Sequence, residues 1–310
     1  MNRNSVDWYG YIPAITTPFT REGDLDFAGF EQQMGWLAQE RMQGVILAGT
    51  TGEWFSLSEA ERAELFAQGA SNAPDDMIVL GGCNAFTAAE AIRHARAAEL
   101  AGLDGILLTP PPYIVPTRAE IVAFYQEVSD ATSMPICIYN WPRGCIVDLD
   151  IDLLAELSEI ENVVAIKNST GDTARFLAGL YELTDKVRYF GVPTNAFGAD
   201  MVSLGRGDGL MGSGAPLGAS HSDFWRALAK GDRERALALG ARDRVVMERW
   251  FTRDYGAQFG NAQAIMKTAL RLQGVPAGYV RRPLLELTNE DVNIVRSTLE
   301  GLGIETVRLS

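Results

Sequence analysis

The chain has 310 residues, of which 47% are hydrophobic and 22% are charged, and its formal net charge is −13 at pH 7. This length and composition allow one large core or two smaller ones, so the domain organisation has to be inferred from the order of the elements. The negative charge disfavours nucleic acids and anionic membranes as partners. Neither a membrane-spanning apolar run nor a secretory signal pattern is present, which predicts a cytoplasmic protein.

Eight short apolar segments recur along the chain, and each is followed by a segment with helical periodicity. They cover residues 12–19, 44–49, 77–83, 105–110, 135–140, 163–169, 187–193 and 209–214. Apolar strands that alternate with helices favour a parallel sheet covered on both faces. Eight such units predict an α/β fold, the (β/α)8 TIM barrel, because an open doubly wound sheet has fewer strands and a glycine-rich fingerprint after the first.

The boundaries of several helices are marked in the sequence. Three helices begin with a hydroxyl residue followed three positions later by glutamate, which is the pattern of a capping box: Ser58 with Glu61, Thr87 with Glu90, and Thr117 with Glu120. Amphipathic helices alone are predicted after residue 230, at residues 231–250, 262–274 and 289–303. We therefore expect a barrel over residues 1–230 and a helical carboxy-terminal extension over residues 231–310, packed on the barrel.

Candidate site residues are the polar side chains at the ends of the apolar segments, because TIM barrels carry their active sites at the carboxyl ends of the strands. They are Thr50, Thr51, Glu53, Asn84, Tyr113, Tyr139, Asn140, Lys167, Thr194 and Ser213. Lys167 interrupts an apolar strand in a chain that otherwise prefers arginine. A desolvated lysine can lose its proton and attack a ketone carbon, whereas a guanidinium cannot. The alternative is a lysine that reaches solvent or pairs with a carboxylate.

Two further segments contain groups suited to a 2-oxo acid. Thr50 and Thr51 offer hydrogen-bond donors for a carboxylate, and Gly52 allows the backbone to approach closely. The same residues would also suit an ordinary strand-to-helix turn. Tyr139, at the end of the fifth strand, can shuttle a proton, or it can be an aromatic plug whose hydroxyl bonds to a neighbour.

The three motifs occur together in one known superfamily. The GTTGE segment at residues 49–53, the Y-N-x-P segment that begins at Tyr139, and the pair Ile166 and Lys167 resemble the dihydrodipicolinate synthase and N-acetylneuraminate lyase superfamily over about residues 10–290. The resemblance implies a metal-free, imine-forming lyase without a cofactor, assembled as a homotetramer that is a dimer of dimers. It also implies that Lys167 condenses with pyruvate or a longer 2-oxo acid and that Tyr139 relays protons.

The resemblance assigns roles to further residues. Thr51 would hold the substrate carboxylate, Thr50 would link the tyrosine into a relay, and Tyr113 would be a second tyrosine, often supplied by a neighbouring subunit. Gly52, Asn140, Arg143 and Ser213 are the other candidates for substrate binding. Trp141 and Asn195 can touch the variable end of a substrate.

The sequence departs from the lysine-pathway members of the superfamily at two loops. It has residues 110–113, PPPY, where those enzymes have a Tyr-Tyr pair, and residues 141–144, WPRG, where they have Arg-Thr-Gly. Arg143 is therefore shifted in register. The leading hypothesis is a lyase acting on a 2-oxo acid such as a 2-keto-3-deoxy sugar acid, by aldol cleavage or by elimination of water or ammonia. The alternative is a dihydrodipicolinate synthase, which condenses pyruvate with aspartate semialdehyde.

Two other classes of protein remain as rivals. The glycine-rich residues 205–218 suit a barrel that binds phosphate or flavin, and a non-catalytic barrel could bind a 2-oxo acid as a sensor. A metal-dependent aldolase is disfavoured because the two histidines, His94 and His221, are far apart in sequence. The odd number of cysteines, at Cys83, Cys137 and Cys145, argues against a disulfide framework.

Overall fold

A computed structural model describes residues 1–252 and 254–309. It confirms the predicted (β/α)8 barrel with carboxy-terminal helices. The strands are β1 (Gly10–Tyr11), β2 (Gly44–Leu47), β3 (Ile78–Gly82), β4 (Gly105–Leu108), β5 (Ile136–Asn140), β6 (Val163–Asn168), β7 (Arg188–Phe190) and β8 (Gly209–Leu210). All strand pairs are parallel, and the order around the sheet is β1-β8-β7-β6-β5-β4-β3-β2.

Helices cover the outside of the barrel and continue beyond it. They are α1 (Phe27–Gln39), α2 (Glu59–Asn72), α3 (Ala88–Ala101), α4 (Arg118–Asp130), α5 (Pro142–Cys145), α6 (Ile151–Leu157), α7 (Thr173–Leu183), α8 (Ala196–Ser203), α9 (Ala219–Ala229), α10 (Arg233–Trp250), α11 (Ala262–Leu272) and α12 (Asn289–Gly301). Short 3-10 helices lie at Arg3–Ser5 and Trp54–Ser56. The predicted extension corresponds to α10, α11 and α12; Arg253 and Ser310, which belong to it, lie outside the described residues.

The first strand is shorter than predicted and begins earlier. The strand occupies Gly10–Tyr11, and within residues 12–19 only Ala14 and Phe19 form isolated bridges. Pro13 and Pro18 interrupt this segment, and a proline has no N–H to donate to a ladder. Ala14 nevertheless bridges both Ile46 of β2 and Ser213 after β8, so it closes the barrel.

The helix starts agree closely with the sequence patterns. The predicted capping boxes form at Ser58 and Thr117. The Thr87 hydroxyl accepts from the amide of Glu90, but the Glu90 carboxylate accepts from the amide of Phe86 rather than from that of Thr87. These N-caps satisfy amides that would otherwise lack a partner in the first turn, which fixes where each helix leaves the preceding loop.

Three large apolar clusters and one small one, which contains Leu270, Val275 and Ala277, are formed by the described residues. One fills the barrel interior and includes Ile46, Leu107 and Tyr139. A much larger one lies between the strands and the surrounding helices. The third joins α10, α11 and α12, with Trp250 fully buried in it. No helix in the described part of the chain combines the length and apolarity needed to span a bilayer.

Candidate active site

Lys167 and Tyr139 meet at the carboxyl end of the barrel because β5 and β6 are adjacent parallel strands. The register pairs Tyr139 with Lys167 directly across the ladder. The Lys167 Nζ lies 4.1 Å from the centroid of the Tyr139 ring. The two groups chosen from separate motifs therefore form one unit, with the amine over the face of the phenol.

The Lys167 amine is buried without an ionic partner. The residue is 6% exposed, and no carboxylate of the described residues lies within 4.0 Å of its Nζ. Burial lowers the pKa of the ammonium to about 8 because desolvation penalises its charged form, an effect that Cys137 partly opposes. At this pKa about a tenth of the amine is neutral at pH 7, far more than for an ordinary lysine, and the neutral form is the one that attacks a carbonyl.

Tyr139 keeps its phenolic proton and is held by hydroxyl neighbours. Burial raises its pKa well above the usual range, and hydrogen bonds with the side chains of Ser169 and Thr50 offset only part of this rise. Its ring is stacked on that of Trp141, with centroids 6.0 Å apart and planes 8° apart. The phenol is thus oriented beside the amine and connected to Thr50, as a proton relay requires.

The GTTGE segment contributes hydroxyl groups to the same cavity. Thr51 Oγ1 and Ser213 Oγ lie 2.8 Å apart in a hydrogen bond, and the Thr50 carbonyl accepts from Gln263 Nε2 of α11 at 3.0 Å. Gly52 lies behind this wall, where a Cβ would come within 3.0 Å of the Ile15 carbonyl oxygen. Gly52 is therefore needed for close packing and does not border the cavity.

A cavity of about 380 Å³ connects these groups, a volume typical of small-ligand sites. The predicted residues on its wall are Thr50, Thr51, Tyr139, Trp141, Lys167, Thr194, Asn195 and Ser213. Residues that the sequence did not single out also border it, namely Ser169, His221, Asp243, Tyr255 and Gln263. Asp243 and Gln263 come from α10 and α11, so the carboxy-terminal helices form part of the site.

A buried polar cluster at the wall went unrecognised in the sequence. His221 Nε2 lies 2.9 Å from Asp243 Oδ1, and the Thr194 hydroxyl donates to Asp243 Oδ2 at 2.7 Å. The His221 ring is stacked on Tyr11, with centroids 4.4 Å apart. Asp243 lies in the middle of a helix pattern, where a single aspartate gives no sign that it faces a cavity.

Like Gly52, the predicted residues Tyr113, Asn140 and Arg143 lie away from the cavity, as do the strand-end candidates Glu53 and Asn84. Tyr113 is 84% exposed, and Arg143 pairs at the surface with Asp254. Asn140 is buried beside β6, where its side-chain amide donates to Asp148 and to Asn168. Within the described chain, Asn140 therefore orders the loop after β5, while Tyr113 and Arg143 do not reach Lys167.

The glycine-rich residues 205–218 are used for packing. A Cβ on Gly209 would come within 2.1 Å of the Gly10 carbonyl oxygen, and one on Gly212 within 2.7 Å of the Tyr11 ring. At the start of α9 the amide of Ala219 already donates to the Glu40 carboxylate at 2.5 Å. A carboxylate at this helix terminus occupies the place that a phosphate would need, which argues against the phosphate-binding rival.

Fold and site together define a class of enzyme. An amine of lowered pKa, a phenol and a pair of hydroxyl groups that could bind a carboxylate meet at the carboxyl end of a (β/α)8 barrel. Across the described residues, no group of three or more His, Cys, Asp or Glu side chains is arranged to hold a metal ion. The arrangement is that of a lyase that works through an imine on its own lysine.

Comparisons with known proteins agree with this class. The model of the Dihydrodipicolinate synthetase family matches residues 7–302. The chain is 28% identical to an uncharacterized DapA-like lyase of Rhizobium meliloti, over 97% of this chain and 98% of that protein. It is 30% identical to the 4-hydroxy-tetrahydrodipicolinate synthase of Corynebacterium aurimucosum, over 96% of each.

A solved structure gives the same result. The fold is similar to that of a dihydrodipicolinate synthase from Acinetobacter baumannii complexed with pyruvate, with a TM-score of 0.83, 26% identity, and coverage of 96% of this chain and 99% of that one. The chain belongs to the Dihydrodipicolinate synthetase family. The predicted resemblance is confirmed, and with it the prediction of a Schiff-base-forming lyase.

Proposed function

We propose that Lys167 forms a Schiff base with the ketone carbon of a 2-oxo acid and that the reaction is aldol cleavage of, or elimination from, a 2-keto-3-deoxy sugar acid. The observation that carries the proposal is the state of the Lys167 amine. It is buried beside a cavity, its pKa is lowered to about 8, and no carboxylate of the described chain neutralises it. A structural lysine would instead be paired or would reach solvent.

The steps follow from the groups around the amine. The neutral Nζ attacks the carbonyl carbon, and loss of water gives an iminium, which withdraws electrons from the adjacent carbons. The Tyr139 hydroxyl supplies and removes protons, and Thr50, hydrogen-bonded to it, carries them onward. The Thr51 and Ser213 hydroxyls, 2.8 Å apart, bind the substrate carboxylate. In aldol cleavage the C4 hydroxyl gives up its proton and becomes a carbonyl, the C3–C4 bond breaks, and its electron pair forms the enamine. In elimination, loss of a proton from C3 forms the enamine, which then expels the protonated C4 hydroxyl or amino group as water or ammonia. Protonation of the product enamine where one remains, and hydrolysis of the imine, release the 2-oxo acid and regenerate the Lys167 amine.

Condensation of pyruvate with aspartate semialdehyde is the second candidate. The names of relatives favour it, since several are 4-hydroxy-tetrahydrodipicolinate synthases at 27% to 30% identity. The position of Arg143 counts against it, because the guanidinium pairs with Asp254 at the surface and does not border the cavity. A second substrate with a carboxylate would lack that partner.

A substrate panel separates the two candidates. Purified protein is assayed for pyruvate release from 2-keto-3-deoxy sugar acids, for formation of a dehydrated product from them, and for pyruvate consumption with aspartate semialdehyde. We expect turnover of the sugar acids and its loss in Lys167→Arg, which keeps a cation but no nucleophile. Turnover in Lys167→Arg, or no turnover of any 2-oxo acid by the wild type, would refute the proposal. Activity with aspartate semialdehyde alone would favour the second candidate.

Assembly, location and domain boundary are also proposals. We propose a homotetramer in which Tyr113, exposed in the single chain, lies against a neighbouring subunit, and a cytoplasmic location. We also propose that the barrel ends and the helical extension begins after residue 230, which lies in the turn between α9 and α10. Sedimentation of the wild type and of Tyr113→Ser would test the assembly, since loss of a buried aromatic contact weakens an interface.

A further inference from the structure

We propose that Asp243 selects substrates by their far end: its carboxylate accepts a hydrogen bond from a hydroxyl group of the substrate and rejects a second carboxylate. This inference rests on the proposed function and adds the chemical class of the substrate tail. It assigns to α10, which lies outside the strand-and-helix pattern of the barrel, the residue that decides specificity.

The Asp243 carboxylate can accept more hydrogen bonds than its two protein partners donate, and the residue forms part of the cavity wall. His221 occupies Oδ1 at 2.9 Å and the Thr194 hydroxyl occupies Oδ2 at 2.7 Å. An ionised carboxylate offers roughly four lone-pair sites, so about half remain for other donors. Asp243 borders the same cavity as Lys167. A buried acceptor of this kind is best satisfied by a hydrogen-bond donor. The hydroxyl groups of a sugar acid bound at Lys167 would be such donors within the same cavity.

The charge of Asp243 makes the choice selective. Burial raises its pKa, but the neighbouring His221 and Thr194 outweigh burial and hold it below the usual range. The side chain is therefore an anion at neutral pH. Two like charges in a site of low dielectric repel strongly, so a substrate with a carboxylate at its far end is disfavoured, while its hydroxymethyl counterpart is not.

The carboxylate is held in place by close packing of α10. A Cβ on Gly240 would come within 1.9 Å of the Thr194 carbonyl oxygen, so only glycine lets the helix approach the loop after β7 this closely. Gly240 lies three residues before Asp243, on the same face of the helix. The stacking of His221 on Tyr11 fixes the other partner of the carboxylate. The acceptor is thus positioned before substrate arrives.

The neighbouring arginine that borders the cavity does not cancel this charge. Arg244 also borders the cavity, but its side chain is 75% exposed and its Nε pairs with Glu248 Oε1 at 3.4 Å. A guanidinium so exposed is screened by solvent. The negative charge of Asp243 therefore sets the electrostatic potential on its side of the cavity.

The test compares two substrates that differ only at the far end, a 2-keto-3-deoxy sugar acid with a terminal hydroxymethyl group and the same acid with a terminal carboxylate. We expect wild-type kcat/KM to favour the first by about tenfold or more, and Asp243→Asn to lower that preference by about ten- to hundredfold. Asp200→Asn is the matched control, since Asp200 pairs with Arg233 at the start of α10 and lies outside the cavity.

Each outcome bears on a defined claim. An unchanged preference in Asp243→Asn, including an equal loss on both substrates, would overturn the inference, as would a wild type that prefers the dicarboxylate. If Asp243→Asn does not fold, the inference is judged by the wild type alone, which must prefer the hydroxymethyl substrate over the dicarboxylate. Failure of the proposed function is recognised separately, because the wild type would then turn over neither of the two sugar acids or would form no borohydride-reducible adduct with any 2-oxo acid.

Discussion

Two buried lysines occupy opposite kinds of environment in this molecule. Lys267 on α11 is 0% exposed, lies 2.5 Å from Glu53 Oε1, and donates to the Tyr279 carbonyl at 2.6 Å. Lys167 on β6 is nearly as buried, but its amine lies over the Tyr139 ring and has no carboxylate of the described residues within 4.0 Å. Burial lowers the pKa of both ammonium groups to about 8, so the two lysines differ in their partners and not in this value, even though the Glu53 carboxylate raises the pKa of Lys267.

The comparison shows that desolvation alone does not make a nucleophile. A buried amine that is bound to a carboxylate and a carbonyl is held by these partners and cannot approach a substrate, whatever its pKa. Here the pair joins the GTTGE loop to the carboxy-terminal helices, and the Glu53 carboxylate also accepts from the amide of Arg281. Lys167 has no such carboxylate among the described residues and borders the cavity, so its amine is free to react with a substrate.

The largest effect is expected at the unpaired lysine. Lys167→Met should lower kcat/KM by a factor on the order of 10⁴ or more, because no other amine of the described chain borders the cavity. The free energy of unfolding should not fall, since a desolvated amine is replaced by an apolar chain. Kinetics and urea unfolding check both points, with the surface variant Lys186→Met as the control. Retained activity in Lys167→Met would show that Lys167 is not the nucleophile and that both buried lysines are structural.

The paired lysine should give the converse result. Lys267→Met leaves Glu53 buried without a cation and should lower the free energy of unfolding by about 3–5 kcal/mol. The double variant Glu53→Gln with Lys267→Met should recover part of this loss, because the unpaired charge is gone. Urea unfolding of the two single variants and the double variant measures the coupling. Additive losses would show that the pair is not an energetic unit.

Tyr139→Phe sharpens the assignment of the relay. The variant keeps the ring beneath Lys167 and its stacking on Trp141, and loses only the hydroxyl that bonds to Thr50 and Ser169. We expect kcat to fall about 10²-fold with little change in thermal stability. An unchanged kcat would assign the proton transfers to another group.

The pH dependence is the smallest of the expected effects. Because the pKa of Lys167 is lowered to about 8, the neutral fraction of the amine rises as pH rises, by about tenfold per unit well below that value. Imine formation measured by stopped flow should therefore accelerate up to about pH 8 and then level off. The raised pKa of Tyr139 keeps the phenol protonated across this range. A rate that still rises steeply above pH 9 would mean an amine of ordinary pKa.

The sequence was sufficient for the fold and for the centre of the site. Apolar segments with helical spacers predicted the barrel, and strand-end residues predicted Lys167, Tyr139, Thr50, Thr51 and Ser213 on one cavity wall. These predictions rest on local periodicity and on the rule that parallel strands present their carboxyl ends together. They did not need any knowledge of how distant segments pack.

The remaining features depend on contacts between distant segments. Asp243 reaches the cavity because Gly240 lets α10 approach the loop after β7, and no local pattern records that contact. The pairing of Glu53 with Lys267 is likewise set by packing of the extension on the barrel. Arg143 was expected at the substrate but pairs with Asp254, because the short helix α5 directs it to the surface.

The central claim is best tested by locating the covalent adduct. The protein is incubated with pyruvate, reduced with borohydride and digested, and the modified peptide is identified by mass spectrometry. We expect the reduced adduct on Lys167 and none on Lys267, although both lysines are buried. An adduct on Lys267 or on a surface lysine with Lys167 unmodified, or no adduct with pyruvate or any longer 2-oxo acid, would contradict the account.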